Sequence, residues 1–299
     1  MSMRVTQSMI SARQLTAVQR SSDALADATL QASTQKRINA PSDDPTGTSR
    51  ALALRDSLAA LDGHDAAVGT ATNLLGTAAT ALRGVSDALQ RVRELTVRGA
   101  NGTTTDQGRQ AIAVELRSIV DSVKDQANAA YDGTYVFAGT ASDAKPYGSS
   151  SDAFGGSGGV LAQQVGPSTS VQANPVNGGE LFGSASGDGK VLDVLRTIIG
   201  HLDAGDVGSL GTTDLAALSR VTDAVGVAST TVGGVQQRVD AASSRIASAR
   251  VTATKALSGI EDVDLAGSLV KLTNQQTAYQ AALKSTAAIV STSLMDFMS

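Results

Sequence analysis

Apolar residues recur at helical spacing along most of the chain. Between residues 49 and 98 they follow one another at intervals of three and four, with one small shift of register. Similar stripes run through residues 106–130 and 213–258. The connection between the first two stripes is short, so we expect them to form an antiparallel helical hairpin. All three stripes are predicted to pack together as an intramolecular core.

The two ends of the chain are helical by pattern but carry narrow apolar faces. Residues 5–35 contain neither Gly nor Pro, and their few large apolar residues drift out of register. Residues 261–297 lack Pro, and their interrupted apolar face is predicted at Leu265, Leu269, Leu272, Tyr279, Leu283, Val290 and Phe297. An isolated helix of this kind is marginal in water. We therefore expect both segments to pair with each other or with neighbouring subunits.

The middle of the chain breaks the helical pattern. Residues 135–137 predict a short strand, residues 149–159 are rich in Gly and Ser, and residues 160–176 alternate weakly around a Gly-Pro turn. Residues 191–202 return to a short amphipathic helix. We predict a mainly α fold with a small β-rich insert: a long antiparallel helical bundle or coiled-coil rod, with paired terminal helices and a central β domain.

This pattern divides the chain into five segments, with helical ends around a β-rich middle. They are an N-terminal helical assembly segment (1–45), the first part of a helical rod (46–132), the β-rich insert (133–190), the returning part of the rod (191–258) and a C-terminal helical assembly segment (259–299).

Composition narrows the classes of function. Of the 299 residues, 41% are hydrophobic but only 3% are aromatic, so the core must be built mainly from aliphatic side chains. The net charge of -4 lacks the basic footprint of a nucleic-acid binder or of a polybasic membrane anchor. The absence of cysteine excludes disulfides, thiol nucleophiles and cysteine-bound metals. We find neither an apolar run long enough for a membrane span nor a cleavable signal, so composition alone favours the cytoplasm.

The candidate chemical groups have simple structural interpretations. Asp43 and Asp44 could form a catalytic or metal-binding carboxylate pair, but no further ligand lies nearby in the sequence. Their place before Pro45 is typical of residues that cap a helix. His64 and His201 have no partner motif and are expected to be solvated. We therefore expect no enzyme activity, no cofactor and no metal site.

Three motifs, in order along the chain, resemble the flagellin superfamily. The first is an Arg-Ile-Asn run followed by Asp-Asp-Pro, the second lies late in the helix predicted at 49–98, and the third opens the C-terminal segment. With the C-terminal apolar face they supply the candidate assembly residues: Arg37, Ile38, Asn39, Asp43, Asp44, Pro45, Arg91, Arg93, Glu94, Leu95, Asp262, Asp264, Leu269, Leu272, Tyr279 and Leu283.

Within the superfamily, the details are similar to the hook-filament junction proteins, also called hook-associated protein 3. Pro45 stands where flagellins usually carry Ala, and the chain end lacks the Leu-Leu close of flagellins. The resemblance implies a structural subunit that joins hook to filament as a homo-oligomeric ring, with hook-associated protein 1 and flagellin as axial neighbours. It also implies type III export without cleavage, a cytoplasmic export chaperone, an extracellular location, and neither nucleic-acid binding nor membrane insertion.

Two other functions stay open at this point. The chain could be flagellin itself, in which case the purified protein would form long filaments alone. It could also be a secreted helical adhesin or effector that uses the same export route. A binding function of that kind would have to reside in the central insert and survive removal of both termini.

The narrow terminal stripes suggest how assembly works. Ordering a residue costs about 1–2 kcal/mol in backbone entropy, which these stripes alone could not offset. We hypothesise that both termini are disordered in the monomer and fold on assembly. A basic cluster, Arg91 with Arg93 and Arg98, is either a solvated face or a partner for carboxylates of a neighbouring subunit.

Overall fold

The computed structural model describes residues 7–148, 151–183 and 186–298. The elements are α1 (Gln7–Thr34), α2 (Pro45–Gly99), α3 (Asp106–Ala127), β1 (Ala130–Tyr131), β2 (Thr134–Tyr135), β3 (Ala162–Gly166), β4 (Thr169–Gln172), α4 (Gly178–Leu181), α5 (Val191–Ala204), α6 (Val207–Ser209), a π-helical turn (Leu210–Asp214), α7 (Leu215–Glu261) and α8 (Leu265–Met298). The prediction of a mainly α fold with a small β-rich insert is confirmed.

Contacts between Cα atoms divide the chain into two compact units. The terminal unit comprises Met1–Ala60 and Ala249–Ser299, and the central unit comprises Leu61–Ser248. The long helices α2 and α7 contribute residues to both. The five-segment division made from the sequence stays a prediction.

The central unit has a continuous aliphatic core. The predicted stripe of α2 is confirmed there, because Leu75, Leu82, Val85 and Leu89 are all fully buried. Apolar side chains of α3, α5 and α7 complete the same cluster. Burying one such side chain contributes about 1.5–3 kcal/mol, so this cluster accounts for most of the unit's stability.

Helices α2 and α3 form the predicted antiparallel hairpin. Arg91 of α2 lies 2.7 Å from Glu115 of α3, and the earlier residue Gly84 faces the later residue Gln126. Residues later in α2 therefore contact residues earlier in α3, so the two helices run antiparallel. The side-chain oxygen of Thr105 caps the first turn of α3.

The insert builds its core from aromatic residues, which are scarce elsewhere. Phe137 and Phe182 meet edge to face with ring centroids 5.4 Å apart, and Tyr147 packs against Phe182 at 6.1 Å. The buried Tyr147 hydroxyl lies 2.8 Å from the carbonyl oxygen of Gly178 and 2.7 Å from that of Gly183. These aromatic contacts and hydrogen bonds give the insert a core of its own although it contains few residues.

One predicted strand of the insert is wrong in extent. Only Thr134–Tyr135 pairs, with β1, while Val136 and Phe137 lie in a turn. Both side chains are buried, and so is the next residue, Ala138. A strand covered on one face only would bury alternate residues, whereas the turn here brings three consecutive residues into the core of the insert.

The second half of the insert contains the predicted alternation around a Gly-Pro turn. Strands β3 and β4 pair antiparallel around Gly166 and Pro167, with an irregularity between Gln164 and Gly166. Val165 and Val171 are the buried residues of this hairpin. The Gly/Ser-rich segment predicted before it includes residues 149–150, which lie outside the described residues.

Candidate assembly site

The two ends of the chain pair within the terminal unit. Helix α1 packs along α8. The helices run antiparallel, because Val263 donates to the carbonyl oxygen of Gln35, and Lys271, farther along α8, donates to Gln31, earlier in α1. The prediction that the terminal segments pair with each other is confirmed.

The contact between α1 and α8, here called the seam, is lined mainly by small and polar residues. Less exposed positions recur at intervals of four and three on both helices, as in a coiled coil. They include Gln14, Val18, Ser21, Leu25, Ala28 and Ala32 on α1, and Ser268, Leu272, Gln275, Tyr279, Ala282 and Thr286 on α8. The hydroxyls of Ser21 and Ser268 are buried and have no hydrogen-bond partner among the described residues. The larger apolar side chains of the seam are Val18, Leu25, Leu272 and Tyr279.

Several large aliphatic residues of the two helices lie outside the seam. This outer aliphatic set is between 44% and 62% exposed and consists of Leu15, Leu30, Leu265, Leu269, Val270 and Leu283. Exposed aliphatic residues arranged along one helix pair are typical of an interaction surface.

The predicted single apolar face of α8 is wrong. Leu272 and Tyr279 lie on the seam, whereas Leu265, Leu269 and Leu283 belong to the outer set. The physical reason is that the contact with α1 follows one row of α8, and these three leucines lie beside that row. The side chains of the two remaining predicted residues, Val290 and Phe297, lie outside the described residues. A role of these leucines in assembly stays a prediction.

The first and third sequence motifs meet where the two helices begin and end. Arg37 donates its backbone N–H to the carbonyl oxygen of Glu261 at 2.6 Å, and Val263 donates to that of Gln35 at 3.0 Å. These bonds form one antiparallel bridge between the N- and C-terminal segments. The Arg37 guanidinium adds a bond to the carbonyl oxygen of Ile260 at 2.8 Å.

A buried carboxylate lies directly on this bridge. The Glu261 side chain is only 5% exposed, and its oxygens contact the ammonium of Lys36 at 2.7 Å and the guanidinium of Arg55 at 2.6 Å. The hydrogen bond from Lys36, with the charge of Arg55, holds the Glu261 pKa below its ordinary value although burial acts in the opposite direction. We call these three residues with the backbone bridge the Glu261 latch.

The paired aspartates are structural caps, as the sequence favours. Asp43 accepts the backbone N–H groups of Asn39 at 2.9 Å and Ala40 at 2.8 Å. Asp44 accepts that of Gly47 at 2.8 Å, which caps the first turn of α2. These backbone hydrogen bonds lower the pKa of both carboxyl groups. Both carboxylates thus accept hydrogen bonds from the backbone of their own chain.

The remaining residues of the first motif support this cap. Pro45 is the first residue of α2, where its missing N–H is harmless. A Cβ at Gly47 would lie 2.5 Å from an oxygen of Asp44 and 2.7 Å from Cδ1 of Ile38, so a larger residue would displace these two side chains from the cap. The Asn39 amide donates to the carbonyl oxygen of Lys36 at 2.9 Å.

The aspartates of the third motif also act on helix ends. Asp264 accepts the backbone N–H of Ala266 at 3.1 Å and so caps α8. Asp262 accepts the hydroxyl of Ser258, which lies in the last turn of α7. The short connection between α7 and α8 is therefore fixed at both sides.

The second motif lies in the central unit. Arg91 donates to Glu115 and, at 3.0 Å, to Glu94, which raises the pKa of its guanidinium. Leu95 is fully buried in the core and so serves the packing of the subunit, and a role of Leu95 in assembly stays a prediction. Arg93 is exposed. Because Arg91 already has intramolecular partners, the idea of a free basic cluster does not hold for it.

One predicted solvated histidine has a partner. The Nδ1 atom of His201 lies 2.8 Å from an oxygen of Asp214, whose side chain is buried in the π-helical turn. The expectation that His201 is simply solvated is therefore wrong. Within the described ranges, we find no group of three or more His, Asp or Glu side chains arranged to hold a metal.

None of the three latch side chains was among the candidate assembly residues. Lys36 directly precedes the Arg-Ile-Asn run, Glu261 lies within the third motif, and Arg55 is one of several polar residues of α2. The residues of the Lys36–Glu261 pair are 225 positions apart, so no local pattern marks it. A cleft of about 210 Å³ beside the latch, lined in part by Ile38 and Leu52, also depends on this long-range contact.

Both ends of the chain match a known protein family. A model of the bacterial flagellin N-terminal helical region matches residues 5–142, and one of the bacterial flagellin C-terminal helical region matches residues 215–298. Together these matches cover well over half of the chain. The chain belongs to the flagellin family. The resemblance inferred from the three motifs is thereby confirmed, and the flagellin family is one of structural proteins of the bacterial flagellum.

Individual relatives of this flagellin-family chain include both junction proteins and filament proteins. Flagellar hook-associated protein 3 of Salmonella typhimurium is 33% identical over 136 residues, 45% of this chain and 43% of that protein. The match thus spans less than half the length of that relative. Flagellin of Listeria innocua is 25% identical over 293 residues, 94% of this chain and 93% of that protein.

A solved structure shares the fold. FlgL of Bacillus cereus superposes with a TM-score of 0.59 at 22% identity, covering 69% of this chain and 99% of that one. At this identity the likeness concerns the fold. Within the described part of the flagellin-family chain, none of the helices is long and apolar enough to cross a membrane.

Proposed function

We propose that the chain is a structural subunit of the hook-filament junction, which assembles as a ring through its terminal helices. The observation that carries the proposal is the outer aliphatic set on a pair of helices whose own seam is mainly small and polar. The choice of the junction, rather than another flagellar position, draws support from the relative named flagellar hook-associated protein 3.

The energetics favour assembly through these helices. Fully burying a leucine contributes about 1.5–3 kcal/mol, so covering a half-exposed one contributes about 1 kcal/mol. A neighbouring subunit that covers Leu15, Leu269 and Leu283 would supply what the seam lacks. Assembly thus adds stability to the folded terminal helix pair, and the folding of these helices is coupled to assembly in this sense.

The proposed neighbours follow from the position in the flagellum. Hook-associated protein 1 and flagellin are the axial neighbours, and other copies of this chain complete the ring. The subunit reaches this extracellular position by type III export without cleavage, with a cytoplasmic chaperone on its C-terminal segment before export. The candidate assembly residues of the first and third motifs hold the terminal helices in place for these contacts.

A deletion strain of the source bacterium tests the proposal. Electron microscopy of the cells should show bare hooks, and flagellin should be lost to the medium. Complementation with the intact gene should restore filaments. Normal filaments in the deletion strain, without a second copy of the gene, would refute a junction role.

The second candidate is flagellin itself. It is favoured by the alignment with Listeria innocua flagellin, which extends over 94% of this chain and so includes the central insert. In that case the deletion strain would have bare hooks but no flagellin in the medium. Purified protein that forms long filaments alone would also decide for flagellin.

A further inference from the structure

The seam between α1 and α8 specifies its own register weakly. Its positions repeat with heptad spacing, so a slide by one heptad would again place seam positions opposite seam positions. Small and polar side chains distinguish poorly between such alternatives. Among the described residues, one side-chain hydrogen bond crosses the seam, from Lys271 to Gln31 at 3.3 Å, and both residues are in contact with solvent.

The connections at the end of the seam would permit such a slide. Helix α8 follows α7 after residues 262–264 only, which fixes its start. Helix α1, in contrast, is joined to α2 by residues 35–44. An extended chain of that length reaches roughly 30 Å, whereas one heptad of helix measures about 10 Å. The covalent structure alone therefore leaves α1 more than one position.

The Glu261 latch removes this freedom. It joins the residues that directly follow α1 to the end of α7 through two backbone hydrogen bonds, and to α2 through Arg55. Its carboxylate is nearly inaccessible to solvent and is satisfied by two cations from different elements. A slide by one heptad would carry Lys36 away and leave Glu261 with one cation, which is costly for a buried carboxylate.

We infer that the Glu261 latch sets the register of the terminal helix pair. Glu261 acts as a positioning residue, and Lys36 and Arg55 make one register preferable to its heptad neighbours. The latch also fixes the stagger between the exposed leucines of α1 and those of α8. That consequence for subunit contacts rests on the proposed function, whereas the register itself does not.

Spin-label distances on the full-length protein test this inference. The chain has no cysteine, so Thr29→Cys and Lys284→Cys, both at exposed positions, can carry a pair of labels on α1 and α8. Double electron–electron resonance should give one narrow distance in the otherwise unchanged protein. In the Glu261→Gln background we expect a second population displaced by about 10 Å, one heptad of helix.

Two further backgrounds keep the test decisive if Glu261→Gln fails to fold. Lys36→Gln and Arg55→Gln each leave one cation on Glu261, and we expect a smaller second population in each. Glu94→Gln is the matched control, because Glu94 is an acid paired with an arginine on an exposed helix surface of the central unit. It should leave the distance unchanged.

Two results would overturn the inference. One is a single unchanged distance in all three latch variants, which would mean that the seam sets the register by itself. The other is a broad distribution in the protein with an intact latch. Neither outcome depends on flagellar assembly, so failure here is distinct from failure of the proposed junction role.

Discussion

Neutralising Glu261 should loosen the terminal unit by a measurable amount. In Glu261→Gln, the side chain keeps its shape but loses two charge-assisted hydrogen bonds, each worth about 1.5–3 kcal/mol when both partners are buried. Lys36 is 43% exposed and Arg55 is 53% exposed, so solvent screens both and the variant leaves no buried cation. We therefore expect a loss of about 2 kcal/mol, well below the sum for two buried pairs.

Hydrogen exchange read by mass spectrometry locates this loss. A local destabilisation of about 2 kcal/mol corresponds to roughly 30-fold faster exchange. We expect it in peptides that cover residues 30–40 and 258–268, with little change in the core of α2. Glu94→Gln serves as the control with the same chemical change. An increase of less than about threefold at the latch would refute the argument, because it would mean that the two ion pairs contribute nothing measurable.

The dependence on pH gives a second check with a defined sign. The pKa of Glu261 lies below its ordinary value of 4.5, so the latch stabilises the folded state fully above that value and loses this contribution as the pH falls. The gap in Tm between the unchanged protein and Glu261→Gln should be constant near neutrality and shrink under acidic conditions. Circular dichroism melts from pH 7 downwards measure it, and a gap that widens on acidification would contradict the assignment.

Three further predictions concern single residues. Gly47→Ala should destabilise the protein by about 1–3 kcal/mol because its Cβ would overlap Asp44, whereas Gly63→Ala, whose Cβ would meet nothing within 4 Å, should stabilise α2 by up to about 1 kcal/mol in urea titrations. Tyr147→Phe should lower stability by about 1–3 kcal/mol because buried carbonyl oxygens lose their donor, and a melting curve equal to that of the unchanged protein would argue against this. Leu272→Ala should destabilise the isolated protein by about 1–2 kcal/mol, whereas Leu283→Ala should change it by less than about 0.5 kcal/mol yet weaken subunit association in sedimentation experiments.

The helices could be predicted from the sequence where one periodic stripe serves one buried core. In α2 the large aliphatic residues are also the buried ones. The spacing of Leu75, Leu82 and Leu89 therefore predicted both the helix and the face that it turns to the core. The same held for the capping aspartates, because Asp43 and Asp44 act on backbone groups within a few residues. Hydrogen bonds between residues a few positions apart can be predicted from a single sequence.

The latch could not be predicted because it depends on tertiary contacts. Glu261 meets Lys36 only after two long helices have brought the chain ends together, and an acid near a helix end has many possible partners. The extent of β2 failed for a related reason. Three consecutive buried residues override the strand propensity of Val136 and Phe137.

The error on α8 is the most informative one. In α2 the most apolar face of the helix is also its buried face, whereas in α8 the two faces differ. A hydrophobic pattern finds the most apolar face of a helix, and on α8 that face includes Leu269 and Leu283, which lie outside the seam. The partner helix within the same chain instead contacts a neighbouring row, which contains Leu272 and Tyr279 but is otherwise small or polar, as at Ser268 and Ala282. A chain that served only its own fold would gain stability by turning its leucines inward. Leaving them outward on both α1 and α8 costs stability in the isolated subunit, and under the proposed function this cost would be recovered when another subunit covers them.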